Sequence, residues 1–192
     1  MSRRELVADA GVRLTARSGA RALTHRAVDR EAGLPLGSTS YYARTRRELT
    51  ALVIARISAQ LSEELTALRF PSVLDDADAA AIAAGFLEQL AARSDAQAAR
   101  LVLLVELRDD EELRAPLTAA DPVRARLVDT AQSLLSAIGA VAPENAAVDL
   151  VGVIDAVLLY RIAAVAPLDP VAILTAYIAG IPRLRHTPPS VL

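Results

Sequence analysis

The stretch from Thr24 to Leu49, THRAVDREAGLPLGSTSYYARTRREL, decides how the rest of the chain is read. Thr24 can cap a short helix from His25 to Ala32, and Gly33 closes it. After Leu34-Pro35 a second short helix is expected over Leu36 to Tyr42. It is followed by Thr45-Arg46-Arg47-Glu48, whose hydroxyl and carboxylate have the spacing of a capping box and open a long helix to about Leu68. Two short helices around a glycine turn form the pattern of a helix-turn-helix, in which the glycine takes a positive φ and the second helix is presented to a DNA major groove. The pattern alone also fits other helical bundles.

The side chains narrow the choice. Leu36-Gly37-Ser38-Thr39-Ser40-Tyr41-Tyr42 is too polar and too short for a core element, yet its hydroxyls can donate to phosphates or base edges. Tyr41 and Tyr42 point about 100° apart on a helix, so one of them should face outward. Arg44, Arg46 and Arg47 crowd one helix N-terminus, where cations oppose the macrodipole by roughly 0.3 to 1 kcal/mol each. A phosphate lying across that N-terminus reverses the sign, because helix N–H groups and guanidinium forks both favour an anion.

Working outward, Ser2-Arg3-Arg4-Glu5 fits a capping box that starts a first helix from about Arg3 to Ala16, with Gly19 beyond its end. Residues 1–60 carry 11 arginines and 5 acids, a balance of +6, whereas residues 61–192 carry 10 arginines and 18 acids, a balance of −8. That asymmetry describes a basic module for a polyanion joined to an acidic module with another task. The acidic part predicts helices at about Asp76 to Ala92, Ala96 to Arg108, Pro122 to Ile138, Pro143 to Val165 and Pro170 to Leu184. Asp121-Pro122 and Asp169-Pro170 each place a side-chain acceptor at the cap and a proline at the first helical position. The expected fold is all-α with about nine helices.

Composition excludes whole classes of function. The chain of 192 residues has no cysteine, so disulfides, thiolate metal sites and cysteine nucleophiles are ruled out. His25 and His186 stand in no metal-ligand spacing, and no metal or cofactor is expected. There is no Ser–His–Asp order, phosphate-binding glycine loop or paired catalytic carboxylate pattern, so an enzyme is not expected. The start MSRRELVADAG lacks an apolar signal core, and no segment reaches the ~18 to 20 uncharged apolar residues of a membrane span, which predicts a cytoplasmic protein.

At these residues the chain resembles the tetracycline-repressor (TetR) family of transcriptional regulators, over essentially its whole length and most densely from Leu6 to Leu52. Ala32-Gly33-Leu34 is similar to the family's Ala-Gly-Val turn, Gly37-Ser38-Thr39-Ser40-Tyr41-Tyr42 to its recognition segment, and Arg46 takes the place of its lysine. The resemblance implies a helix-turn-helix DNA-binding domain over 1–46, a connecting fourth helix over 46–68, and a helical effector-binding and dimerisation domain over 69–192. It implies DNA contacts from Thr24, His25, Arg26, Leu36, Gly37, Ser38, Ser40, Tyr41, Tyr42 and Arg46. Three positions depart from the family: Thr39 replaces an apolar packing residue, Ser40 a tyrosine, and Ala43 an aromatic whose space Tyr42 is expected to fill.

The acidic half resembles the family's ligand-binding domain, particularly Glu106 to Arg114 and the closing helices. Candidate pocket residues are Phe86, Leu90, Val102, Glu106, Asp155 and Tyr160, which mix apolar lining with polar handles. The helix over Pro143 to Val165 is apolar on nearly its whole circumference, which a single chain of this size can hardly bury. The resemblance implies a homodimer through the last two long helices, which this apolar helix supports. The function this implies is a homodimeric repressor, bound to a pseudo-palindromic double-stranded operator and released from it by a small molecule. The competing expectation is a helical protein-interaction adaptor of the same fold without sequence-specific DNA binding.

Overall fold

The computed structural model describes residues 2–118 and 120–184; His186 lies outside them. Its helices begin where side-chain acceptors precede them. α1 (Arg3–Ser18) starts with a complete capping box between Ser2 and Glu5 and ends at Gly19, whose φ is 78°. A 3-10 turn at Ala20–Ala22 leads to α2 (His25–Glu31), capped by Thr24 Oγ1, which accepts from the Ala27 N–H at 3.3 Å. α3 is Ser38–Tyr42 and α4 is Arg46–Ala67. Thr45 caps α4 as expected, but Glu48 turns to the Arg44 N–H at 2.7 Å and so fastens the residue before the cap.

Beyond α4 the chain forms α5 (Asp76–Ala92), α6 (Ser94–Glu106), α7 (Glu111–Arg114), α8 (Pro122–Ala137), α9 (Pro143–Ile162) and α10 (Pro170–Ala179). Asp121 and Asp169 each cap two N–H groups of the helix that follows. The one-turn α7, continued by a 3-10 turn at Ala115–Leu117, is the helix that the sequence does not announce. α9 stops at Ile162, just before Ala164 takes a positive φ of 50°, and α10 stops at Gly180 rather than at Leu184. No helix among the described residues is long and apolar enough to cross a membrane.

Two apolar cores result, and they interleave along the chain. One joins α1 to α3 with the first half of α4, and takes in Ala96, Ala99 and Leu103 of α6. The other joins Leu61 and Leu65 of α4 with α5, α8, α9 and α10. α4 therefore belongs to both cores, and α6 packs on α1, so displacement of either helix is felt by the first three.

At Gly11, α1 packs closely on Val53 of α4. A Cβ there collides with Val53 Cγ2 and lies 3.3 Å from Leu23 Cδ1, both on buried side chains. Gly85, in the middle of α5, has nothing within 4 Å of a built Cβ. Gly11→Val is expected to destabilise the protein by about 2 to 3 kcal/mol through overpacking. Gly85→Ala is expected to stabilise it by roughly 0.5 to 1 kcal/mol through helix propensity. Urea unfolding of the two variants checks the opposite signs.

Candidate nucleic-acid interface

α3 has only five residues, too few to hold a helix by itself, so its position depends on what grips it. The grip is Asp29 of α2, which is fully buried. Its Oδ1 accepts from the Thr39 amide at 2.7 Å and the Thr39 hydroxyl at 2.6 Å, and its Oδ2 accepts from the Gly37 amide at 2.7 Å. Burial pushes the Asp29 carboxyl up, but the three hydrogen bonds from Thr39 and Gly37 together outweigh it and hold the pKa below the ordinary carboxylate value. Gly37 makes the turn possible with a left-handed φ of 95°. Thr39 is thus buried by pairing with a carboxylate rather than by apolar packing.

Other contacts frame the same unit. His25 Nε2 lies 2.8 Å from the Ala43 carbonyl, tying the start of α2 to the end of α3. Arg13 and Arg17 of α1 reach Glu31 at 2.8 and 2.5 Å. Ala43 is buried, and Tyr42 packs half-buried against the core beside it. The Tyr41 ring meets Tyr42 edge-on, with centroids 5.1 Å apart at 82°. Tyr41 itself is 85% exposed and Leu36 is 72% exposed.

Of the DNA-contact candidates, Thr24, Arg26, Leu36, Gly37, Ser40, Tyr41 and Arg46 are exposed, while His25, Ser38 and Tyr42 are half-buried. Ser38 Oγ is engaged with the Pro35 carbonyl at 2.6 Å. The arginines divide sharply. Arg26, Arg44 and Arg46 form no ion pair among the described residues, whereas Arg13, Arg17 and Arg56, which face other helices, are all paired. Arg47 separates from its neighbours: it turns toward the loop after α6 and pairs with Asp110 and with Glu112. The Asp110 carboxyl is held below its ordinary value, first by Arg47 and then by the Leu113 N–H.

The backbone of one residue links this surface to the rest of the protein. The Ala20 carbonyl accepts from Arg46 Nη2 at 2.9 Å, and the Ala20 N–H donates to Glu106 Oε1 at 3.4 Å. Glu106 thus stands at the junction of α6 with the turn after α1. The other pocket candidates lie elsewhere. Phe86 lines a small apolar cavity between the end of α4, α5, α8 and α9. Leu90 is buried in the same core, Val102 is half-buried on α6, and Tyr160 lies on the outer side of α9, 41% exposed. Asp155 sits between Arg100 and Arg124. Asp29, Arg100 and Arg124 escape a reading of the sequence, because the residues they contact are distant in the chain and share no periodic signal with them.

Comparison with known proteins gives this geometry a context. The family model for the tetracyclin repressor-like C-terminal domain matches residues 74–183. The chain is similar in fold to a transcriptional regulator from Rhodococcus sp. RHA1, with a TM-score of 0.74, 22% identity, and coverage of 94% of this chain and 96% of that one. It is also similar to a TetR-family member from Streptomyces coelicolor A3, at a TM-score of 0.68, 25% identity, and coverage of 95% and 99%. The multidrug binding protein EbrR in complex with malachite green matches at a TM-score of 0.62 and 25% identity, covering 95% and 99%. No curated protein matches the chain.

Proposed function

The chain belongs to the tetracycline-repressor (TetR) family of transcriptional regulators, which are transcription factors rather than enzymes, and on that premise we propose that it is a homodimeric, ligand-responsive repressor. The observation that carries this reading is the exposed face of α3, held by a buried carboxylate and flanked by Arg26, Arg44 and Arg46, which pair with no carboxylate among the described residues. Tyr41, Ser40 and Leu36 face the base edges of a major groove, and Arg26, Arg44 and Arg46 meet the phosphates beside it. Thr24, His25, Gly37, Ser38 and Tyr42 complete the contact surface at the helix ends.

The second copy is seated on α9 and α10. Val148 is 58% exposed and Val171 56% exposed, and Leu159 and Tyr160 continue the same apolar surface with exposed Gly152 and Ala156 between them. A two-fold axis brings identical surfaces of this kind together and sets two α3 helices on successive major grooves. EbrR, seen with malachite green, is the precedent for a small molecule in this fold. A ligand that binds one arrangement of α4 and α6 better than another shifts the population through the Ala20 junction and changes the spacing of the two α3 helices.

DNA selected from genomic fragments by the purified protein tests this reading. Tyr41→Ala is expected to weaken binding about 10- to 100-fold with the dimer intact, the range of one good base contact. Arg46→Ala should weaken binding to all sites alike and reduce the salt slope by about 1. Arg47→Ala should leave that slope unchanged, because its charge is already matched by Asp110 and Glu112. Equal effects of Arg46→Ala and Arg47→Ala, measured by fluorescence anisotropy at several salt concentrations, contradict the assigned surface.

A further inference from the structure

Between α6, α8 and α9, two arginines share one carboxylate. Arg100 of α6 is 4% exposed; its Nη2 donates to Asp155 Oδ1 at 2.5 Å and its Nε to Gln97 Oε1 at 3.4 Å. Arg124 of α8 donates from Nη2 to Asp155 Oδ2 at 2.8 Å. Among the described residues, Arg100 Nη1 and Arg124 Nε and Nη1 have no acceptor in the protein, and no second carboxylate pairs with either arginine. Burial pushes the Arg100 pKa down and Arg124 pushes it further, against the pull of Asp155. Guanidinium groups nevertheless keep their proton at working pH, so the cluster carries a surplus of one positive charge. Arg124 and Asp155 are half-buried, so in the free protein water meets this surplus, and an anion can take the place of that water.

The surplus adjoins apolar space. Leu127 follows Arg124 by three residues on α8, and Val151 precedes Asp155 by four on α9, so each shares a helix face with its charged neighbour. Both line an apolar cavity of about 30 Å³ that continues past Leu134 and Leu150 to Phe86. Its volume suits about one water, but its lining offers water no adequate set of partners. Asp155 is half-buried, so the charged cluster beside this cavity reaches solvent.

We propose that this cluster anchors the effector, and that the effector is an organic acid. Its carboxylate takes the unpaired N–H groups of Arg100 and Arg124, which brings the cluster to neutrality with Asp155 in place. Its apolar body runs between α8 and α9 and widens the cavity beside Phe86. The proposal rests on the reading of the chain as ligand-responsive and adds the chemical class to which it responds.

The test uses the full chain with hexanoate, decanoate and phenylacetate, each beside its primary amide, in calorimetric titrations and thermal melts. At least one carboxylate is expected to bind tenfold or more tightly than its amide. Asp155→Asn raises the surplus charge and should tighten the carboxylate. Arg124→Gln should weaken it tenfold or more and leave the amide unchanged. No carboxylate binding, equal binding of acid and amide, or binding unaffected in Asp155→Asn overturns the proposal, and the wild-type titrations decide alone if Arg124→Gln does not fold. These failures leave open release from selected DNA by a ligand of other chemistry. Conversely, a carboxylate that binds as expected but leaves the DNA complex intact overturns the ligand-responsive reading and not the anion site.

Discussion

Asp29→Ala is expected to abolish sequence-specific DNA binding and to lower the stability of the protein by about 3 kcal/mol or more. The substitution strands the Gly37 amide, the Thr39 amide and the Thr39 hydroxyl where Asp29 and Thr39 are fully buried. Each orphaned donor costs about 1 to 3 kcal/mol, a large share of the roughly 5 to 15 kcal/mol that holds a domain together. α3 has no other hold of comparable strength and is too short to persist without one. Asp29→Asn should be intermediate, because its NH2 group faces a donor where the second carboxylate oxygen accepted one. Urea unfolding and DNA titration of both variants measure the two losses.

The same carboxylate sets a pH dependence. Its pKa is lowered on folding, so its contribution is fully present above the unfolded value of about 3.9 and is lost as pH falls through the lower folded value. The helix-turn-helix should therefore keep its structure into mildly acidic solution, and Asp29→Asn should remove this component of the acid transition.

Ala156→Glu carries the second large effect. Ala156 is exposed on the outer face of α9 in the single chain, so a glutamate there costs the isolated fold little. In a symmetric dimer the two glutamates are buried face to face, where unpaired like charges cost several kcal/mol. The expected outcome is a folded monomer with an unchanged helix content. Its affinity for the selected DNA should fall about a thousandfold or more, toward the non-specific level, because each copy then holds one half-site alone. Light scattering on the variant reads the first effect and fluorescence anisotropy the second. A variant that stays dimeric moves the interface away from α9.

The parts of this architecture that were legible in the sequence are those fixed by neighbours in the chain. Ser2, Thr24, Asp121 and Asp169 cap the helices expected of them because a capping side chain reaches only two or three residues ahead. Gly33 marks the turn for the same local reason, with a positive φ, whereas the helix expected from Leu36 starts only at Ser38, because Gly37 takes a left-handed φ of 95° and cannot belong to it. The ends of α9 and α10 were overshot because apolar residues continue past Ile162 and Ala179, while the backbone turns at Ala164 and Gly180. α7 was missed because one turn of helix has no periodicity to detect.

What the sequence concealed is long-range pairing. Asp29 looked like any acid on a short helix, since nothing local shows that Thr39 lies against it. Arg47 looked equivalent to Arg46 until Asp110 and Glu112, more than sixty residues away, proved to hold it. Asp155 was visible as a polar residue in an apolar helix, but its two arginines come from other helices. Of the residues with the right chemistry for a pocket, Phe86 and Leu90 share one core and Asp155 lies where α6, α8 and α9 meet, whereas Glu106 and Tyr160 face other surfaces, because periodicity assigns a side and not the neighbour on that side.

The most direct test of the account is selection of genomic DNA by the purified full-length protein, followed by footprinting and titration across salt concentrations. The account predicts an inverted repeat with protected major grooves one helical turn apart, occupied by two copies, and an affinity that falls steeply and linearly with the logarithm of salt concentration. Recovery of no enriched sequence, or of binding insensitive to salt, contradicts it.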